Sequence, residues 1–556
     1  MPELRVLVVQ GEQAQAVRHD GGSHPPPARR AAEALAALSR DGHGGDLAWL
    51  DAASAPRLRP AEAWPALRRQ PLELLHLGDV AVTSPAVASL GWIDFESPHL
   101  LPAHTTGRRA SWLVSPRAGL VRGSILTALG FAPRLGLATA LADVARRGLA
   151  HGVFPIAEPA LAAAPPVLSR VPDLGPHAIA QLLRRSLDRR WVVVWLLAAA
   201  CFGRRLPLIA ALRALATRRP PPVDCAHLAS LRPAPVHAGA VASPAAAAQT
   251  AEVVIPTLGR PQMLEDTLDD LAAQYLPPVR VVVVDQRPQN AGAGADAVHA
   301  SAPEVHIEPA GERPFVVERL AVTWMGACRA RNLGLARTTA PWVLLLDDDV
   351  RFGPDLLAGL LTTARAYQVG AINPRIYLPG QDASGPQPPP LPRLWPRFAG
   401  VALLSRAACQ VAGGFDLRLE GGYGEDFDYG MRLWAKGFFV VYDPGRSVLH
   451  LHAPRGGLRM RHPHPWPQKG PGRPRPSPTV MLSRRLHQTP AMAQGFLLFS
   501  VLAHLRATPP WRWLPSLPAR LRGWRASRDW CTRLARASEA SEDREADRDA
   551  REETLR

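Results

Sequence analysis

Lysine is nearly missing from this 556-residue chain: of 65 basic residues, only Lys436 and Lys469 are not arginine. Arginine is spread along the whole length, with no basic run interleaved with aromatics. The formal net charge of +17 is therefore read as a generally basic surface, and no nucleic-acid partner is expected. Cysteine is scarce as well. Cys201, Cys225, Cys328, Cys409 and Cys531 are odd in number and lack metal-ligand spacing. That excludes a disulfide framework and a zinc cluster and suits a reducing compartment. No apolar run reaches the roughly 18–20 residues that span a bilayer. The nearest, Trp191 to Phe202 and Ala491 to Leu505, read as buried helices. Their basic flanks also keep a peripheral membrane contact in view. The chain opens on the strand-like run Arg5 to Val9, and the expected compartment is the cytoplasm, at the inner face of a membrane if those flanks are used.

What is present is a globular composition, 47% hydrophobic and 20% charged, enough for two to four domains. Residues 1–216 read as an N-terminal α/β domain, and 217–250 as a Pro/Ala-rich linker. Residues 251–455 alternate strand and helix. Residues 456–533 are a Pro/Arg-rich loop with a helical region, and 534–556 a charged tail expected to be disordered or a frayed helix. In the 251–455 stretch, Val279 to Val284 is valine everywhere but Arg280, the mark of a strand buried on both faces. Trp342 to Leu346 is a second such strand. Helical spacing covers 264–275, 326–337, 355–367 and 426–436, and a strand at 438–442 ends in the turn Asp443-Pro-Gly. This predicts an α/β sheet with helices on both faces, whose ligands bind beyond the carboxyl ends of the strands.

The polar residues at those ends carry the chemistry. The first strand ends at Thr257, the second at Asp285, and the central one in Asp347-Asp348-Asp349. Three carboxylates after an apolar strand raise one another's pKa unless a cation neutralises them. A hard divalent ion, Mn²⁺ or Mg²⁺, does so and keeps positions for phosphate oxygens. A solvated acidic turn is the bland alternative. Further on, Gly421-Gly-Tyr-Gly brings Glu425 and Asp426 to a helix start, on which Asp428 and Arg432 are four apart and expected to pair. These acids serve either as caps or as reacting groups. His450, after the next strand, either completes a metal shell or packs.

In order and spacing these residues resemble the family 2 glycosyltransferases of the GT-A fold. The matching pieces are Val253-Val-Ile-Pro-Thr257, Val-Val-Val-Val-Asp285, Ala330-Arg331-Asn332-Leu-Gly334, Asp347-Asp348-Asp349, Gly413-Gly414-Phe415-Asp416, Glu425-Asp426 and Pro444 to His450. They cover about 200 residues, a little over a third of the chain. The resemblance implies a Rossmann-like mixed sheet and an inverting transfer of sugar from a nucleoside-diphosphate sugar to a glycan or lipid-linked acceptor. It places Thr257 and Asp285 on the nucleoside, Arg331 and Asn332 by the diphosphate, and Asp347, Asp348 and Asp349 at the ribose and metal. Asp349 is then the direct metal ligand, joined by Asp347 and His450. Asp426, beside Glu425, is the general base. A cell-envelope or exopolysaccharide acceptor is expected on family grounds. Related processive synthases carry Gln-x-x-Arg-Trp, whereas Trp511-Arg512-Trp513 lacks the Gln, so few sugars are added per encounter. Acceptor choice is expected in 378–400 and 454–480, with Trp395 and Trp466 as lid residues.

The first 216 residues carry faint echoes of this pattern. Leu74 to Val80 parallels Leu345 to Val350, Leu113 to Arg117 parallels Leu403 to Arg406, and Ala145 to Gly148 parallels Trp434 to Gly437. That register sets Asp143 opposite Arg432 and leaves no acidic pair, so this half reads as a degenerate GT-A-like copy. An unrelated α/β domain is the alternative. Two other functions compete: an inactive glycosyltransferase-like scaffold or glycan-binding protein, and a sugar-phosphate nucleotidyltransferase. The latter needs a basic Gly-rich loop that Pro256-Thr-Leu-Gly-Arg260 does not supply.

Overall fold

The computed structural model describes residues 4–554 apart from 20–21, 42–44, 79–83, 102–106, 164–173, 234–249, 288–301, 382–390, 398–399, 454–463 and 471. Helices flank two mixed sheets. The first holds β1 (Leu4–Gln10), β2 (Gln13–His19), β3 (Gly22–His24), β4 (Asp46–Asp51), β5 (Glu73–His76), β6 (Arg109–Ala110), β7 (Ala118–Arg122) and β8 (Phe154–Ala157). The second holds β9 (Ala251–Thr257), β10 (Arg280–Gln286), β11 (Glu304–Glu308), β12 (Val316–Val322), β13 (Trp342–Leu345), β14 (Val350–Phe352), β15 (Ala371–Tyr377), β16 (Arg393–Leu394), β17 (Ala402–Ser405) and β18 (Val440–His450).

The second sheet has the order β11-β12-β10-β9-β13-β17-β15-β18-β14, with β16 also on β18. Parallel β9, β10 and β13 lie at its centre, and Val281 to Val284 and Val253 to Ile255 are completely buried, which is why they are apolar at successive positions. One expected turn is absent. Asp443-Pro444-Gly445 lies inside the single long strand β18, where pairing with β15 jumps from Pro374↔Asp443 to Arg375↔Ser447. Pro444 has no N–H to give a ladder, and Asp443 Oδ1 accepts the Gly445 N–H at 2.9 Å, so the chain bulges and continues. This extension carries His450 to β14, where it pairs with Val350, next to the acids.

The two sheets share a path. In the first, β1-β4-β7-β5-β8-β6 pair as parallel, antiparallel, antiparallel, parallel and antiparallel. In the second, β9-β13-β17-β15-β18-β16 pair in the same senses, and the strands come in the same chain order. The pairing sets β13 against β4 rather than against the 74–80 segment, whose Asp79 and Val80 lie outside the described residues. Carried forward from Trp342 and Asp46, it brings Asp347, Asp348 and Asp349 level with Asp51, Ala52 and Ala53. The helix Ala31–Arg40 precedes β4 as Ala327–Arg337 precedes β13, which puts Leu35 where Arg331 stands.

The helix Leu137–Leu149 likewise precedes β8 as Glu425–Ala435 precedes β18. In it Asp143 pairs with Arg147 at 2.8 Å and Arg185 reaches Asp143 at 3.0 Å. In the later helix Asp428 pairs with Arg432 at 2.9 Å, and His487 reaches Asp428 at 2.8 Å. Asp143 thus lies level with Asp428, not with Arg432, and Ala140 and Leu141 take the places of Glu425 and Asp426. The two halves are packed together, sharing one apolar cluster that includes Leu75 and Phe154 of the first and Leu344 and Val441 of the second.

One boundary expectation changes. Part of 217–250 is folded: the helix Cys225–Ser230, capped by Asp224, buries Leu228. The last helix, Trp513–Thr554, continues into the charged tail, a stretch rich in Ala, Glu and Arg, which favour helix. Among the described residues no helix is long and apolar enough to cross a membrane.

Candidate active site

Beyond β13 the backbone stays in the sheet for one more residue, Leu346 N–H donating to Val254 O at 3.1 Å, and then releases three acids. They separate into two tasks. Asp348 turns under β9, accepting from Thr257 Oγ1 and from Arg260 at 2.7 Å each. Burial pushes its carboxyl pKa up, and Thr257 and Arg260 oppose that. Its backbone oxygen accepts from Thr267 Oγ1 at 2.9 Å. Asp348 and Thr257 therefore fasten the acidic turn to the sheet. Asp347 and Asp349 point the other way, toward His450, whose Nε2 is 3.8 Å from an oxygen of each.

One ligand atom from each of Asp347, Asp349 and His450 lies within 4.8 Å of the others. Ligands about 2.1 Å from a Mn²⁺ or Mg²⁺ ion sit roughly 3 Å apart at adjacent corners. The donor set and spacing fit such an ion. An ion held through Nε2 would require the ring proton on Nδ1, in place of the 3.1 Å bond that Nδ1 accepts from the His452 N–H.

Arg331 joins this cluster to the second pair of acids. Its side chain is only 7% exposed and lies 3.2 Å from Asp347, 3.4 Å from Glu425 and 3.8 Å from Asp426. Burial works against its charge, but the carboxylates of Asp426, Asp347 and Glu425 win and hold the guanidinium above its ordinary pKa. Asp426 is shifted the other way from a free carboxylate. Burial, then the charge of Glu425, push its pKa well up, and Arg331 offsets only part of this. Glu425 is also raised, by burial first. Asp426 remains 24% exposed, so it is both poised and reachable.

Several expected residues have other work. Asn332 uses both ends of its amide on Phe415, donating to its carbonyl at 2.9 Å and accepting its N–H at 2.6 Å. It locks the Gly413-Gly414-Phe415 loop against the helix that carries Arg331. Asp285 stands level with Thr257 at its strand end and pairs with Arg287 at 2.7 Å. Asp428 pairs with Arg432, as their spacing implies, and with His487. Trp395 is half-exposed on a cavity between the two halves, whereas Trp466 is buried, 6.3 Å from Trp530 in the last helix.

Four contributors were not read from the sequence. Arg260 bridges Asp348 and Asp349, the latter at 3.1 Å. Gln286 spans from Thr257 O to the Gly326 N–H, and Glu420 accepts the N–H groups of Cys328 and Arg329 at the start of Arg331's helix. Gly400, at φ +75°, donates its N–H to Asp426 at 3.2 Å. A Cβ there would lie 2.0 Å from Asp347 Oδ2, so only glycine lets the backbone pass between the two acids. Each contact joins residues far apart in the chain, and only the Gly400 position offers a local hint, a glycine closing an irregular segment before a strand.

Residues 252–409 match the family model described as Glycosyl transferase family 2. No curated protein matches the chain. Among solved structures, GalNAc-T7 with UDP, GalNAc and Mn²⁺ is similar at 14% identity and TM-score 0.33, over 47% of this chain and 51% of that one. The chain thus spans about half the length of that protein. S. aureus TarS 1–349 in complex with UDP-GlcNAc is similar at 12% identity and TM-score 0.35, over 53% and 92%. The mannosyltransferase PcManGT from Pyrobaculum calidifontis, in complex with GDP-Man and Mn²⁺, is similar at 18% identity and TM-score 0.29, over 51% and 84%.

Proposed function

We propose that the family 2 glycosyltransferase domain matched over residues 252–409, completed by Glu425, Asp426 and His450, moves one sugar from a nucleoside-diphosphate sugar to an acceptor hydroxyl with inversion. The observation that carries this reading is the convergence of Asp347, Asp349 and His450 at the end of β13, with Asp426 beyond Arg331. Asp347, Asp349 and His450 would hold the divalent cation, which when bound supplies Lewis-acid stabilisation of the diphosphate. Arg331 adds fixed positive charge beside the leaving oxygens. Asp426 takes the acceptor proton as the acceptor oxygen bonds to the anomeric carbon, and the carbon–oxygen bond to phosphate breaks with its electron pair leaving on the diphosphate. Asp285, level with Thr257 at the neighbouring strand end, would face the nucleoside, while Thr257 holds the Asp348 turn behind it.

The acceptor is assigned to a cavity of about 530 Å³ between the halves. Trp112, Phe95 and His99 line it from the first half, and Trp395, Arg393 and Phe427 from the second. Phe427 follows the base in sequence, and the chain from Arg393 leads to Gly400 at Asp426. Burial lowers the His99 pKa to about 3, so its ring is neutral, and its Nδ1 is buried without a hydrogen-bond partner. Flat rings and an unengaged nitrogen suit an acceptor with an apolar or sugar face and a hydroxyl. On this reading the first half is a non-catalytic copy of the sheet, in which apolar residues fill the positions of Arg331, Glu425 and Asp426. It serves as one wall of the acceptor site.

Two measurements test the reading. Calorimetry with a panel of nucleoside diphosphates, with and without Mn²⁺, should find one that binds in a metal-dependent way. Asp349→Ala should weaken that binding by on the order of 100-fold or more. Metal-independent binding, or binding untouched by the substitution, refutes the metal site. Trp395→Ala should raise the acceptor KM roughly tenfold, as for a lost stacking contact, at unchanged donor affinity. An unchanged acceptor KM removes the cavity from the proposal.

A further inference from the structure

Exposed large apolar side chains concentrate in four helices outside the active site. Leu197 belongs to the helix Arg189–Phe202, and Ile209 and Leu212 to Leu208–Ala216. Phe499 belongs to Pro490–Ala507, Trp511 to the short turn Pro510–Arg512, and Leu514 to the start of the last helix. Ile209 is 69% exposed, Trp511 77% and Leu514 86%, values at which a soluble surface normally carries polar groups. The helices form one packed set: Arg189–Phe202 packs on both Leu208–Ala216 and Pro490–Ala507, and the latter on the last helix.

The charge around these side chains has one sign. From Arg189 to Val223 every Asp, Glu, Lys or Arg position is arginine, and the same holds from Arg485 to Arg528. At the root of the first segment a cleft is lined by Arg184, Arg189, Arg190 and Arg219, with Asp188 as its single acid. Arg190 and Arg219 both turn to Asp188, yet stay 69% and 66% exposed. Arg184 is 3% exposed, and its Nε and Nη1 are buried without a hydrogen-bond partner. Four guanidinium groups facing one carboxylate leave donors for an anion, and phosphate oxygens are the acceptors arginine matches best.

We propose that these four helices form a membrane-surface docking face, with the apolar side chains entering the acyl boundary and the arginine cleft engaging anionic lipid phosphates. A protein partner would be expected to meet a mixed or acidic-paired rim; a basic surface with Asp188 as the one acid of its cleft, carrying exposed tryptophan and leucine, matches a negatively charged leaflet. The face is separate from the strand-end acids, so the proposal stands or falls apart from the transferase reading.

The experiment is co-sedimentation of the full chain with vesicles of phosphatidylcholine alone and with about a third phosphatidylglycerol, at low and at roughly 0.5 M salt. The expected result is pelleting with the anionic vesicles that weakens in salt. Ile209→Asp with Leu212→Asp, Trp511→Ser with Leu514→Ser, and Arg189→Glu with Arg190→Glu should each cut partitioning by roughly tenfold or more. The first two pairs are exposed side chains, so circular dichroism and nucleotide binding should stay as in the parent. No pelleting at low salt, or pelleting indifferent to all three variants, overturns the proposal. So does a dimer in analytical ultracentrifugation that the apolar variants dissolve while vesicle binding persists, which would give the face to a second copy of the chain.

Discussion

Asp426→Asn is expected to lower transfer by roughly 10²–10⁴-fold, the usual contribution of a positioned general base, while leaving donor affinity unchanged. Asparagine keeps an oxygen for the Gly400 N–H, now 3.2 Å from the carboxylate, so the loop between the two acids has no reason to move. What it loses is the capacity to take a proton. The pH profile separates this from a structural effect. Burial and the neighbouring Glu425 hold the Asp426 pKa above the ordinary carboxylate range. The base works only when deprotonated, so kcat/KM in the parent should fall on the acid side of that raised value. The variant should have lost this limb. Single-turnover rates measured from acid to mildly alkaline pH decide it, and a variant with the parental rate and profile would remove Asp426 from the reaction.

Arg331→Met should be the most destabilising single change near the site, by about 3–5 kcal/mol, the typical result of removing one partner from a buried charged cluster. Methionine fills much of the same space, so the loss is electrostatic. Asp347, Glu425 and Asp426 then face one another with no cation among them. The sign of the pH dependence follows. Without Arg331 the folded-state pKa values of Glu425 and Asp426, already raised by burial, rise further above their unfolded values. A raised carboxylate is no burden below its unfolded pKa, where both states are protonated, and costs stability as pH rises through the folded pKa. The deficit should therefore shrink toward about pH 4, near ordinary carboxylate values, and be full above neutrality. Thermal unfolding of both proteins across pH measures it, and a deficit independent of pH would mean that lost packing, not charge, is the cause.

The second half was legible because its signals are local. A run of buried valines can only be a central strand, and three acids directly after an apolar strand place themselves at its end. The division of labour among those acids was not legible. Asp348 serves as an anchor because Thr257, Arg260 and Thr267 reach it from other elements, and nothing near 348 in the sequence says so. Asn332 sits in a motif tied to the donor, but its amide is spent on Phe415, a partner set by how two loops pack. The turn at 443–445 was read from composition, and pairing with β15 overruled it. In the first half the overall alternation was visible while its register was not. Short apolar runs such as 46–51 and 73–76 look alike in sequence, and only their neighbours in the sheet show which one takes the place of β13.

The equivalent paths of the two sheets have a consequence at their exits. The helices Arg189–Phe202 and Pro490–Ala507 leave corresponding places, each following a shorter helix that contacts the Asp143 or Asp428 pair. They end up packed on each other, so on the docking proposal the chain would set two feet on a lipid surface. One shallow amphipathic foot detaches readily. Two feet held at a fixed spacing act as a bivalent ligand: while one is down, the other is at high effective concentration over the same leaflet. Residence on a membrane would then depend on the two contacts together, and weakening either foot should remove the gain from bivalency.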